Sequence, residues 1–378
     1  MYKFLNWIAS LLAPLLLLGC SDGSDNPVAN VLDSLPMNQL QYLGTHNSYH
    51  IEPEEDLFGL LLAVIPETAP TLQYTHRPLT EQLQELGIRQ FELDVFADPQ
   101  GGLYAERKVR TLFDEPAASG LAELDEPGLK VLHVQEIDYQ TTCLTLVRCL
   151  QEIRQWSDDN PQHLPVMVLI EAKDEAIVDP LELGFSVPVP FDAAALGRID
   201  TEIRSVFADA RIILPDDVRG DSVTLEQAVL TRGWPTLGEA RGKVMFALDN
   251  GGARRDTYVQ GHSSLAGRVM FTDSPPGTPE AAFMKRNDPL SNPGEIADLV
   301  SRGYLVRTRA DADTQESRNG DTTRRDAALA SGAQFVSTDY PQPDPRFTDY
   351  QVTLPGPGVA RCNPVNGAAC EAAGLPLF

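Results

Sequence analysis

Positive charge is scarce in this chain. The 378 residues carry 30 Lys and Arg against 54 Asp and Glu, which gives a formal net charge of -24, and histidine occurs six times. So negative a chain is not expected to bind nucleic acid, and it is repelled by an anionic bilayer at long range. A lipid substrate would therefore be captured by local contacts. The hydrophobic content of 42% is still ample for one large folded domain.

Long apolar runs are also scarce, and the clearest one lies near the N-terminus. Lys3 precedes an apolar stretch over 7–18, which is short for a membrane span and ends in Leu-Leu-Gly-Cys at 17–20. This ending resembles the signal of bacterial lipoproteins, which are lipidated on the cysteine. We expect a signal peptide at 1–19, a lipid on Cys20 and a flexible tether over 20–34. Ser21 favours the outer membrane or cell surface, and a simple secretory peptide is the alternative.

Cysteine is the third scarce type, with five in the chain. Setting Cys20 aside leaves an even number in a chain expected to be exported, which favours disulfides. Proximity in sequence pairs Cys143 with Cys149 and Cys362 with Cys370, although four cysteines allow three connectivities. A zinc site is the alternative, but the sequence has no Cys-x-x-Cys spacing to support it.

Short apolar runs alternate with helical patterns along most of the chain. The runs predict eight strands, at 41–43, 90–95, 130–133, 166–171, 243–248, 269–272, 304–307 and 335–337. Helical spacing predicts helices at 79–86, 142–156, 193–206, 225–230, 293–302 and 322–331. Such alternation predicts a parallel sheet, so we expect a single-domain α/β fold, a TIM-type (β/α)8 barrel that tolerates irregular strands, over 35–351. Residues 352–378 should wrap the barrel and carry a local disulfide.

Polar side chains stand at the ends of four of these runs. The motifs are Gly-Thr-His-Asn-Ser-Tyr at 44–49, Glu-x-Asp at 92–94, His133, and Glu-Ala-Lys at 171–173. Spacings of 46 residues from His46 to Glu92 and 38 from His133 to Glu171 suit one strand, one helix and two loops. The pattern therefore predicts a shared site at the C-terminal ends of the barrel strands.

An all-oxygen set within this group suits a hard cation. Glu92 and Asp94 are two apart on a strand and share a face, and Glu171 and Asn47 can join them. Converging carboxylates repel, and calcium or magnesium resolves the conflict better than zinc. An isolated Glu-x-Asp pair would more often be a solvated strand end, and histidine ligands for a transition metal are the alternative.

Two histidines can then handle protons and charge. His46 and His133 stand beside the carboxylates, where one imidazole can donate to a phosphoryl oxygen and the other can protonate a leaving group. The remaining histidines lack that context, and we expect structural roles for them: His50, His76, His163 and His262.

These residues resemble the catalytic half of calcium-dependent phosphoinositide-specific phospholipase C, and the bacterial and fungal branch of that family is the nearer match. The motifs at 44–49 and 92–94, together with His133 and Glu171, carry the resemblance. Val-Arg-Thr-Arg-Ala-Asp-Ala-Asp at 306–313 and Gly-Ala-Gln-Phe-Val-Ser-Thr-Asp-Tyr at 332–340 look like its last two barrel strands. The similarity spans about 38–342.

The resemblance implies a phosphoric diester hydrolase that cleaves phosphatidylinositol to diacylglycerol and a cyclic inositol phosphate. Asn47, Glu92, Asp94 and Glu171 would hold one calcium ion, with magnesium less expected. Glu92 would also accept the proton of the inositol 2-hydroxyl, His46 would steady the phosphoryl oxygens, and His133 would protonate the departing diacylglycerol. Arg307 stands where the eukaryotic enzymes grip inositol with an arginine.

The chain departs from the eukaryotic pattern in three places. Lys173 has no counterpart that we can place, and it is a further candidate for phosphate binding or for neutralising the carboxylates. Arg309 replaces a tyrosine, and we include it among the substrate-binding residues. Leu248 and Asp249 replace a lysine pair that reads ring phosphates, which favours unphosphorylated phosphatidylinositol. Lys285 is a weaker basic candidate.

Two rival functions stay open at this stage. A glycerophosphodiester phosphodiesterase shares the barrel and the Glu-x-Asp pair, but that family opens with His-Arg where this chain has His46 and Asn47. A lipoprotein that binds a lipid or another ligand without cleaving it is the second rival, and the presence of the whole constellation argues against it. We expect a monomer in either case.

Overall fold

Eight parallel strands form a nearly closed ring in the part of the chain that this computed structural model describes, residues 31–291 and 293–372. The strands of the whole sheet are β1 Leu40–Thr45, β2 Gln90–Asp98, β3 Gly128–Val131, β4 Val166–Ala172, β5 Val244–Leu248, β6 Met270–Thr272, β7 Phe283–Lys285, β8 Leu305–Arg309, β9 Phe335–Thr338 and β10 Ala360–Cys362. The ring follows the order β6-β5-β4-β2-β1-β9-β8-β7, and the Asp273–Phe283 bridge joins its two ends. This is the predicted TIM-type barrel, as a single domain.

Helices connect the strands. The α-helices are α1 Glu55–Val64, α2 Leu79–Glu85, α3 Leu146–Asp159, α4 Ala193–Val206, α5 Pro215–Arg219, α6 Leu225–Thr231, α7 Leu237–Ala240, α8 Gly252–Val259, α9 Pro293–Arg302, α10 Gln315–Asn319, α11 Thr323–Ala330 and α12 Ala368–Ala372. Short 3-10 helices lie at Met37–Gln39, Ala69–Leu72, Lys108–Phe113, Ala122–Leu124, Asp209–Arg211 and Ser263–Leu265. Side-chain caps begin several helices: Thr145 accepts from the Arg148 amide at α3, and Asp192 accepts from the Ala195 amide at α4.

One predicted barrel strand is not part of the ring. The segment predicted at 130–133 forms β3, which pairs antiparallel with β2 from Val95 to Asp98. Strand β2 is long enough to pair with β4 from Gln90 to Val95 and to extend beyond the barrel, where β3 joins it. The eighth barrel strand is instead β7, which the sequence analysis missed because it has three residues and no alternating pattern.

The strands are buried on both faces, as parallel barrel strands are. Phe91 and Leu93 of β2 are fully buried and belong to the main hydrophobic core, while Glu92 and Asp94 alternate with them on the opposite face. This alternation places carboxylates on one face of the strand and apolar packing on the other.

The C-terminal segment packs against the first strand. Strand β10 pairs antiparallel with β1, with Leu40 opposite Cys362. Cys362 and Cys370 form a disulfide, and so do Cys143 and Cys149, which confirms both pairings. Gly332 has a φ of 81°, and a Cβ there would lie 2.4 Å from Val365, so glycine is required both for the backbone conformation and for the close approach.

The predicted signal peptide, Cys20 and most of the tether lie outside the described residues. Among the described helices, none combines the length and the apolar character needed to span a bilayer.

Candidate active site

Three carboxylates from two neighbouring strands converge at the C-terminal end of the barrel. Glu92 and Asp94 leave the same face of β2, and Glu171 on β4 pairs in register with Asp94. One carboxylate oxygen from each residue lies within 4.8 Å of the other two. Three negative charges at this separation repel strongly unless positive charge lies among them.

The chain supplies part of that positive charge. Lys173 places Nζ 3.1 Å from Asp94 Oδ2, and Arg307 donates from Nη2 to Glu92 Oε2. Burial would lower the pKa of Lys173, but Asp94 and Glu171 raise it. Glu171 is less well compensated, because burial and the Asp94 charge raise its pKa to about 8. When all three carboxylates are ionised, the cluster therefore carries more negative charge than Lys173 and Arg307 balance.

A divalent cation with oxygen ligands fits this cluster. Asp94 Oδ1 is buried and makes no hydrogen bond of good geometry within 31–291 and 293–372, where the Tyr49 hydroxyl is its neighbour, and such an arrangement is costly for a carboxylate oxygen without a cation. The converging donor atoms are all oxygens, which suits calcium or magnesium better than a softer metal.

Asn47 follows β1 on a loop that is tied to Glu92. The Ser48 amide donates to the Glu92 carbonyl at 2.9 Å, and the Glu92 amide donates to Ser48 Oγ at 2.8 Å. Asn47 adopts a φ of 43°, which asparagine tolerates better than most residues. Its Nδ2 donates to the Tyr74 hydroxyl at 3.0 Å, so the amide oxygen is the atom that can face a cation.

His46 lies between an aspartate, an arginine and the carboxylate cluster. Its Nδ1 is 2.8 Å from Asp339 Oδ1, and its Nε2 is 3.3 Å from Arg309 Nη1 and 3.9 Å from Glu92 Oε1. Burial and the Arg309 charge lower the pKa of His46, against the opposing effect of Asp339. These contacts fit a neutral imidazole that carries its proton on Nδ1 and accepts from Arg309.

Asp339 is held in its charged form by its partners. Arg309 Nη2 lies 3.0 Å from Asp339 Oδ2, and the Asp339 amide donates to Asp311 Oδ1 at 2.8 Å. Burial would raise the pKa of Asp339, but His46 and Arg309 hold it well below its usual range. The neighbouring Asp311 behaves in the opposite way, because burial and the Asp339 charge raise its pKa to about 7.

His133 belongs to a second histidine–aspartate pair. Its Nδ1 lies 2.6 Å from Asp138 Oδ2, which leaves Nε2 for proton transfer. His50 Nε2 lies 2.9 Å from both Asp138 oxygens, and His50 Nδ1 lies 2.9 Å from the Tyr74 carbonyl oxygen. Burial would raise the pKa of Asp138, but His50 and His133 lower it to about 2. Because β3 runs antiparallel to β2, its C-terminal end returns toward Val95 and brings His133 to the barrel mouth.

The basic residues at the mouth all pair with carboxylates. Arg307 is fully buried and donates to Asn287 Oδ1 as well as to Glu92. Lys285 on β7 pairs with Asp249, which follows β5. The structure therefore brings together Arg307, Arg309 and Lys173, and adds Lys285 to them.

Residues 35–364 match the model of the family described as phosphoinositide phospholipase C, Ca2+-dependent. The chain belongs to this family. Members of the family are phosphoric diester hydrolases, so the recognition made from the motifs at 44–49 and 92–94 is confirmed.

The chain is similar to two solved structures. A calcium-dependent phosphatidylinositol-specific phospholipase C from Streptomyces antibioticus has 18% identity and a TM-score of 0.50, with 81% of this chain and 95% of that chain covered. A calcium-dependent phosphoinositol-specific phospholipase C from a Gram-negative Pseudomonas species has 13% identity and a TM-score of 0.49, with 82% of this chain and 92% of that chain covered. None of the curated proteins matches the chain.

Sequence reasoning missed three residues of this phospholipase C site. Asp339 follows β9, so it repeats the pattern of polar residues at strand ends that located the other site residues. Asp138 follows no strand, and nothing in its sequence context marks it. His50, which we expected to be structural, is fully buried and bonds both Asp138 oxygens, with its ring centre 5.6 Å from that of His133.

The Asp138→Asn substitution should remove a stabilising charge whose effect depends on pH. In the folded protein the pKa of Asp138 is held at about 2, against an ordinary 3.8. Its contribution, about 2 kcal/mol, is therefore fully present above the ordinary aspartate pKa of 3.8 and is lost as the pH falls from there through about 2. Urea unfolding of both proteins, from about pH 6 to about pH 2, measures the difference in the free energy of unfolding.

The exposed Asp125→Asn variant is the control, and it should change the free energy of unfolding little at any pH. If Asp138→Asn lowered the free energy of unfolding by the same amount at every pH, the charge argument would be contradicted.

Proposed function

We propose that this phospholipase C cleaves phosphatidylinositol in a calcium-dependent reaction and forms diacylglycerol and a cyclic inositol phosphate. The observation that carries the proposal is the carboxylate cluster of Glu92, Asp94 and Glu171, together with two histidine–aspartate pairs at the mouth. A single calcium ion held by these three residues and Asn47 would neutralise their charge and acidify the inositol 2-hydroxyl. Calcium suits the site better than magnesium, which demands stricter octahedral geometry and keeps more of its water.

Glu92 and His133 move the two protons of the reaction. Glu92 accepts the proton of the inositol 2-hydroxyl as that oxygen forms a bond to phosphorus. The bond from phosphorus to the glycerol oxygen breaks, and His133 donates a proton from Nε2 to that oxygen. The Asp138 carboxylate accepts from His133 Nδ1 and orients the ring for the transfer.

His46 and Arg309 lie where the phosphoryl oxygens would carry charge. Arg309 is permanently charged and can donate to a phosphoryl oxygen. His46 has to carry a proton on Nε2 to do the same, and an adjacent phosphate anion favours that protonated form. Asp339 holds Nδ1 throughout.

The substrate headgroup is proposed from the cationic residues. Lys173 and Arg307 are each paired with a carboxylate of the cluster. The remaining N–H donors of Lys173 are available to inositol hydroxyls or to the phosphate, whereas Arg307 is fully buried and holds Glu92 in place. Lys285 at the mouth is already paired with Asp249, so this ammonium is not a free cation for additional phosphates on the ring. Unphosphorylated phosphatidylinositol is therefore the proposed substrate, and the protein is proposed to act as a monomer.

Phosphatidylinositol cleavage, with and without a calcium chelator, tests this function. The wild-type protein should release diacylglycerol with calcium and lose activity when the chelator is added. His46→Ala and His133→Ala should each lower kcat by about two to four orders of magnitude, because each removes a group that acts on the reacting atoms. His262→Ala is the control, since His262 bonds the Ala266 carbonyl away from the site.

Release of glycerol phosphate from a deacylated lipid, without diacylglycerol from phosphatidylinositol, would favour the phosphodiesterase rival. Binding without any cleavage would favour the non-catalytic lipoprotein.

Removing one carboxylate should weaken calcium binding. Glu171→Gln keeps the size of the side chain but removes a charged ligand, so we expect the calcium Kd to rise about 10- to 100-fold. Isothermal titration calorimetry with calcium alone measures the Kd independently of turnover. Exposed Glu182→Gln, on the loop after β4, is the control and should bind calcium like the wild type. Equal affinities in all three proteins would remove Glu171 from the ligand set.

We also propose that the mature protein is an exported bacterial lipoprotein, held at the outer membrane or cell surface by lipid on Cys20. The support is the Leu-Leu-Gly-Cys ending of the apolar stretch and the serine that follows it. The Cys20→Ser variant should appear in the soluble fraction of cells that retain the wild type in the membrane fraction. Retention of both proteins in the membrane fraction would rule out the anchor at this position.

A further inference from the structure

An apolar groove lies beside the active site, between loops at the C-terminal end of the barrel. The groove has a volume of about 400 Å³. Its walls come from α1, from the 3-10 helix Lys108–Phe113 and from the loop after β4, and they include Leu61, Val64, Val109, Leu112, Ile177 and Phe185. The floor is a small hydrophobic cluster that is separate from the barrel core and includes Leu57, Leu72 and Tyr139.

Asp179 is the one charged residue among the described residues that line the groove, and its carboxylate is bonded to the backbone. Asp179 accepts backbone N–H bonds from Leu183, Gly184 and Phe185 at 2.7–3.1 Å, so its carboxylate closes the loop. The walls are also joined to one another, because Glu136 accepts from the amides of Lys108 and Ser186. These hydrogen bonds connect the segments that form the groove and fix its shape.

Large apolar side chains remain exposed at the edge of the groove. Val64 is 61% exposed, Val178 is 84% exposed and Leu181 is 62% exposed. They come from α1 and from the loop after β4, and they line the same groove. Exposed apolar groups gathered around one groove are typical of a site that buries them against an apolar ligand.

The groove begins next to a catalytic group of the proposed reaction. Ile137 lines it and directly precedes Asp138, whose carboxylate holds His133. His133 protonates the glycerol oxygen of the departing diacylglycerol, so the lipid half of the substrate lies on this side of the mouth. The whole chain has a net charge of -24, so burial of apolar surface, and not attraction between charges, is the favourable term for this half of the substrate.

We propose that this groove binds one acyl chain of the substrate during cleavage. The proposal rests on the proposed phospholipase C function for the identity of the ligand. One of its two tests, the binding of a fluorescent fatty acid, does not depend on turnover, because the groove binds the chain through apolar contact alone. The rate of cleavage should therefore depend on the length of the acyl chain. This dependence should hold for single lipid molecules as well as for lipids in a bilayer.

Chain-length dependence on monomeric lipids tests the kinetic half of the proposal. Dibutanoyl and dihexanoyl phosphatidylinositol are compared below their micelle concentrations. Wild-type kcat/KM should be about tenfold higher for the longer substrate, since each methylene buried by one chain is worth about a threefold gain. Val178→Asp places a charge on the rim and should reduce this ratio toward one. The matched control is Val223→Asp, because Val223 is 85% exposed and lies between α5 and α6, away from the groove; its ratio should equal that of the wild type.

Binding of a fluorescent polyene fatty acid, cis-parinaric acid, tests the groove without catalysis. The wild type and Val223→Asp should bind the probe with the same Kd, and Val178→Asp should bind it about tenfold more weakly. Probe binding with this pattern but no cleavage of any inositol diester would support the groove and overturn the proposed function. Cleavage without probe binding and without chain-length dependence would overturn the groove and leave the function. If Val178→Asp lost activity on vesicles but not on monomeric lipids, the groove proposal would also be overturned. That result would show that the rim contacts the bilayer and not a single acyl chain.

Discussion

The mutual repulsion of Glu92, Asp94 and Glu171 is the constraint on which the rest of the site depends. Three carboxylates with oxygens within 4.8 Å of one another are stable inside a barrel mouth only when positive charge balances them. Lys173 and Arg307 provide part of that charge, and the raised pKa of Glu171 marks the part that is left over. This uncompensated negative charge would destabilise the empty cluster, and it is also what gives the cluster affinity for a cation.

The two histidines are chemically the same residue placed in different surroundings. Burial and the Arg309 charge lower the pKa of His46 against the opposing effect of Asp339, and its ring suits a position beside a charged phosphoryl group. His133 has an aspartate partner that is itself fixed by His50, so it suits the donation of a proton. The neighbours of each ring, and not the ring itself, separate the two proposed roles.

Most of the barrel could be predicted because its strands are buried runs of fixed spacing. The strand at 128–131 was placed wrongly in the ring because the apolar pattern of a strand does not depend on whether its partner is parallel. The strand Phe283–Lys285 was missed because three residues are too few to show a period. Asp339 was missed as a partner of His46 because the two are 293 residues apart, and Asp138 because it lies on a loop.

The amino-acid sequence alone determined which chemical groups stand at the strand ends, that a hard cation suits them, and to which family the chain belongs. Those conclusions follow from residue types and local spacing, which folding does not change. Only the tertiary structure decided which groups pair: that Arg307 binds Glu92, that Lys173 binds Asp94, and that exposed valines and leucines from separate loops border one groove. Such contacts depend on strand register and loop packing, and these are set by the burial of the whole chain at once.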